Sequence, residues 1–201
     1  MNYVNHASYQ TGIEIKNLPQ GNSNNASINL LHELSGQFKQ NDIVIFGFTD
    51  IVRFEYGNSN DGLVRTYIAN DFDHPYPEVV EHILLNRDEF DFYKFDALQK
   101  LKGIEVLSDL VGFDFWYWDW SGCFNELVTK KIIDNKRWVF YQAVPDYVGY
   151  GQMIKNIFKA GPIHWETKGQ NPDSHIGKIG NQIHADILIN FFKNRLNSLD
   201  N

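Results

Sequence analysis

Apolar and polar residues alternate over Ile13-Glu14-Ile15-Lys16-Asn17-Leu18, which predicts a strand. Pro19 to Asn25 is a loop rich in turn-forming residues. From about Ala26 to Lys39 the apolar positions Ile28, Leu31, Leu34 and Phe38 fall at helical spacing, and Asn24 or Asn25 can cap the helix. Asp42 leads into Ile43-Val44-Ile45-Phe46-Gly47-Phe48, a continuous run of β-branched and aromatic residues. Such a run predicts a central parallel strand, buried on both faces. Strand, helix and buried strand in succession make a β-α-β unit and point to an α/β sheet. Ligands in such sheets bind where the carboxyl ends of the strands open into loops.

Further along, Ile51 to Tyr56 keeps Arg53 and Glu55 close to the loop after the buried strand. The pair reads as a salt-bridged wall, or as groups that orient a substrate carboxylate or hydroxyl. Gly57 to Gly62 is a polar turn, and Val64 to Pro77 reads as irregular. Asp71, Asp73 and His74 lie close together there, but no second cluster at ligand spacing supports a metal site, and a solvated loop is the plainer reading. Glu78 to Leu85 predicts a short helix and Phe90 to about Val111 a long one, with Gly103 as a break or kink.

Phe113 to Trp120 alternates and is strongly aromatic, which predicts a strand with Phe113, Phe115, Tyr117 and Asp119 on one face. Asp114, Trp116, Trp118 and Trp120 take the other face. Its first half reads as core; Trp118 and Trp120 fit either core or a wall that stacks on sugar or acyl groups. Leu127 to Ile133 predicts a short helix, Trp138 to Tyr141 a strand or packed loop, and Gly149 to Ala160 a helical stretch. No internal repeat or low-complexity tract interrupts the chain. The expectation is one α/β domain over residues 1–201, with an insertion at about 56–90.

The densest chemistry lies near the carboxyl terminus. Asn171-Pro172-Asp173-Ser174-His175 is a polar loop that runs directly into an amphipathic helix. Ile179, Ile183, Ile187 and Phe191 recur every four residues, with Leu188 and Phe192 beside them. Asp173 and Ser174 are ordinary residues for a turn before a helix, and His175 fits the surface there. The same geometry also fits a general base, because a carboxylate two residues back can orient the imidazole.

Composition narrows the classes. With 201 residues and 43% hydrophobic content the chain can bury a sizeable core. Its apolar runs are too short to span a bilayer, and no signal peptide is visible. A single cysteine, Cys123, excludes an internal disulfide framework and suits a reducing compartment, so the expected location is cytoplasmic. A formal charge of -7 argues against binding nucleic-acid backbone. Aromatics at 15% exceed what such a core needs and suggest a binding surface or a homo-oligomer interface.

Three blocks, in order, resemble the SGNH (GDSL-type) hydrolases. Asn17 and the run Gly21-Asn22-Ser23-Asn24 look like that family's Asn-rich loop. Gly47-Phe48-Thr49-Asp50 looks like its Gly-x-Asn-Asp block, with Thr49 where Asn is expected. Asp173-x-His175 followed by Gly-containing residues and an apolar helix looks like its C-terminal block. The resemblance runs from about Ile13 to Leu196. It implies a three-layer sandwich with a mainly parallel central sheet (the flavodoxin-like arrangement) and hydrolysis of an acyl or acetyl ester on a glycan or lipid. It implies that His175 is the base and Asp173 its orienting acid, and that Gly21 and Thr49 donate to the oxyanion. Asn24, Asp50 and Arg53 stand beside the substrate. No metal or cofactor is implied.

The family's nucleophilic serine sits after a first strand that should precede Ile13 by a whole helix, and Ser8 has no apolar strand before it. Three accounts are open. The first strand and its serine lie upstream; the protein is a relative that binds without catalysis; or Cys123, on the loop after the aromatic strand, attacks instead. The rival reading from another class is a non-catalytic carbohydrate-binding or assembly protein on the same fold.

Overall fold

The computed structural model describes residues 23–48, 53–57, 64–68, 87–119, 122–144, 147–149, 153 and 178–199. The calls to a strand over Ile13 to Leu18, a helix over Glu78 to Leu85 and a helical stretch within Gly149 to Ala160 lie wholly or mostly outside these residues.

Helix α1 spans Asn24–Leu34 and buries Ile28 and Leu31. Its cap is Ser23, not Asn24 or Asn25: the Ser23 hydroxyl accepts from the Ala26 backbone N–H at 3.2 Å. The helix tightens into a 3-10 turn at Ser35–Gln37 and stops short of Lys39. Phe38 is already extended, yet its ring still packs on Phe113 at 5.2 Å. Strand β1, Ile43–Phe48, follows.

Strands β2, Arg53–Gly57, and β3, Val64–Ile68, pair antiparallel, with Arg53 opposite Ile68. The expectation that Val64 onward is irregular is thereby corrected. Its first five residues have a partner that local pattern does not reveal. Helix α2, Arg87–Val111, is continuous through Gly103. Its packing outweighs the modest cost of one glycine. Strand β4, Asp114–Asp119, returns parallel to β1, with Ile43 opposite Asp114 and Phe48 opposite Asp119. Helices α3, Asn125–Thr129, and α4, Val139–Ala143, are short, and α5 spans Lys178–Leu199. Trp138 contributes only a single parallel bridge to Tyr117 before α4 begins. Among the described residues, β4 rather than β1 therefore has neighbours on both sides.

The fold is mixed α/β around a two-stranded parallel sheet. On one face Phe46, Phe48, Phe115 and Tyr117 pack with Ile28 and Leu31 of α1 and with Leu101 and Ile104 of α2. On the other, Trp116 meets Leu188 and Phe192 of α5, with Ile43 alongside. Burial of β1 is not two-sided throughout. Ile45 is 37% exposed, because α5 sits over Trp116 and Ile43 and leaves it partly open. No described helix is long and apolar enough to cross a membrane.

Candidate functional site

Because β1 and β4 are parallel and in register, Phe48 and Asp119 end at the same edge of the sheet. Two helices begin at that edge. In α5 the early residues Ile183 and Ile187 meet Phe140 and Tyr147, and His184 lies 4.5 Å from the Trp118 ring. The later Phe191 and Phe192 meet Trp116, nearer the start of β4. The helix therefore runs opposite to the strand, with its amino end at the carboxyl edge. Helix α1 behaves alike. Its carboxyl end leads through Phe38 to the amino edge, where the Asp114 N–H donates to the Asp42 carbonyl at 2.8 Å.

Asp119 anchors this edge. It continues the face that buries Phe113, Phe115 and Tyr117, and it is only 1% exposed. A buried carboxylate needs several donors to offset its lost hydration. Its Oδ1 accepts from the backbone N–H of Gly122 at 3.0 Å and of Cys123 at 3.3 Å. Its Oδ2 accepts from the Phe124 N–H at 2.9 Å and the Tyr141 hydroxyl at 2.8 Å. The Tyr147 hydroxyl donates to the Asp119 backbone carbonyl. One side chain thus folds the chain after β4 back on itself and ties it to α4 and to residue 147.

Two of the core tyrosines, Tyr141 and Tyr117, are held neutral. Burial, then the negative charge of Asp119, pushes the Tyr141 hydroxyl well above its ordinary pKa. Burial, then the hydrogen bond to Glu105, does the same for Tyr117. Both remain hydrogen-bond donors across the working range of pH.

Gly122 marks the tightest approach. Its φ is +76°, and a Cβ there would stand 2.6 Å from the Val148 carbonyl oxygen and 2.8 Å from the Gly149 backbone. Both the left-handed conformation and the contact with rigid backbone exclude a side chain. Gly122→Ala is expected to lower stability by about 2–4 kcal/mol, from strain plus displacement of one loop. A shift of the urea midpoint checks this, and a variant as stable as the parent would show that the two loops move apart without cost.

Cys123 is half-buried, and its sulfur donates to Asp119 Oδ1 at 3.6 Å. That contact sets negative charge beside the sulfur, which opposes a nucleophilic thiolate. Trp118 is half-buried against the packed interior. Its ring lies against His184 and Phe140, and a Cβ at Gly47 would approach it to 3.1 Å, a tight contact. Among the described residues no three of His, Cys, Asp and Glu are grouped so that they could hold a metal ion.

Of the other candidate site residues, Asn24 opens α1 and is half-buried. Arg53 opens β2. Gly21, Thr49, Asp50, Asp173 and His175 lie outside the described residues, as do Trp120 and the Asp71, Asp73 and His74 group. Their points of attachment are described. Thr49 follows Phe48, Gly21 precedes the Ser23 cap by two residues, and His175 precedes Lys178 by three. All three segments join the described structure at the carboxyl edge.

Two residues stand out that the pattern alone did not single out. Asp119 is one; its place on the apolar face of the alternation was the available signal. His184 is the other, fully buried between the Trp118 and Phe140 rings, where burial lowers its pKa to about 3. It shares a helical stripe with Leu188 and Phe191, which was a signal of burial.

Compared with protein-family models, with curated proteins and with solved structures, the chain finds no match.

Proposed function

We propose that the protein is an SGNH-type hydrolase of acyl or acetyl esters on a glycan or lipid, built as a three-layer, flavodoxin-like sandwich. The observation that supports this reading is the shared polarity just described: β1 ends, and α1 and α5 begin, at one edge of the parallel pair. The chain segments carrying the oxyanion donors and the acid-base pair are attached there.

In this reading His175 takes the proton of a serine hydroxyl as it attacks the ester carbonyl, and Asp173 orients the imidazole. The Gly21 N–H and the Thr49 hydroxyl donate to the developing oxyanion. His175 returns the proton to the leaving alcohol, and water then repeats the sequence on the acyl-enzyme. Asn24, Asp50 and Arg53 border the substrate. Asp119, buried and engaged by three backbone N–H groups, the Cys123 thiol and the Tyr141 hydroxyl, serves this reading as part of the scaffold.

The test is hydrolysis of short-chain acyl esters by the 201-residue chain and by a version extended upstream to any in-frame Gly-x-Ser. The extended form is expected to be active and to lose roughly a thousandfold or more on Ser→Ala or His175→Ala. The 201-residue chain is expected to show little activity. Activity of that chain that survives His175→Ala but disappears with Cys123→Ala would overturn the assignment. Silence in both forms would favour the binding protein.

A further inference from the structure

We draw no further inference here: the strongest candidate, the buried His184 imidazole where α5 packs on Trp118 of β4 and Phe140 of α4, carries no switch or site of its own, since its burial and lowered pKa yield only the acid sensitivity of the whole fold.

Discussion

Asp119→Ala is expected to lower unfolding stability by on the order of 3–5 kcal/mol, the usual result of stripping one member from a buried charged network. The alanine would leave the N–H groups of Gly122, Cys123 and Phe124 and the Tyr141 hydroxyl facing an apolar gap. Stability of a whole domain is about 5–15 kcal/mol, so the loss approaches unfolding. Asp119→Asn should fall between the two. Its one oxygen can serve the donors of one side, while its NH₂ faces the donors of the other. Urea denaturation with a constant slope reads the difference directly. An Asp119→Ala protein within about 0.5 kcal/mol of the parent, the range of an ordinary surface substitution, would show that the carboxylate does not anchor the edge.

The second large effect is acid sensitivity through His184. Burial between apolar rings lowers its folded-state pKa to about 3, from an ordinary 6.5. As pH falls through about 6.5 the unfolded chain takes up a proton that the folded chain refuses until about pH 3. The unfolded state binds more protons throughout that window, so stability drops as pH drops. At about 1.4 kcal/mol per unit, the loss accumulates to roughly 4–5 kcal/mol by the bottom of the window. His184→Leu fills similar space without titrating. The difference between parent and variant stabilities, followed from pH 7 to pH 3, isolates this group from the carboxylates. The gap should widen in favour of the variant as the solution is acidified; parallel curves would mean that His184 is reached by solvent.

Much of the scaffold was legible in the pattern of side chains. The Ile43 to Phe48 run and the alternation from Phe113 to Asp119 are strands, and they pair parallel, as an α/β sheet requires; the first strand of the expected β-α-β unit, Ile13 to Leu18, lies outside the described residues. The helical spacing of Ile28 with Leu31, and of Ile183 with Ile187, marks real helices. What failed depended on partners. Val64 to Ile68 becomes a strand by pairing with Arg53 to Gly57, a contact that no local pattern encodes. Val139 to Ala143 has the aromatic, β-branched content of a strand, yet it closes a single helical turn against α5 and β4. Ile45 belongs to an apolar run but lies partly open, because burial depends on where α5 settles.

The candidate site divides in the same way. Alternation placed Asp119 on the inward face, but not the backbone donors that make its burial tolerable. Those come from a glycine turn whose geometry depends on a loop over twenty residues away in sequence. The Asp173-x-His175 motif was legible as chemistry, and it lies, with Gly21 and Thr49, outside the described residues.

The central claim is that Asp173 and His175 share an edge with Thr49. Pulsed electron resonance between spin labels tests it most directly, in a Cys123→Ser background. One pair is Ser174→Cys with Thr49→Cys. The reference pair is Ser174→Cys with Gln40→Cys, which lies beside Gly112 at the amino edge. A six-residue strand separates the two edges by about 20 Å. The account predicts that the 174–49 distance is clearly the shorter of the two; a shorter 174–40 distance would put His175 on the wrong edge and contradict it.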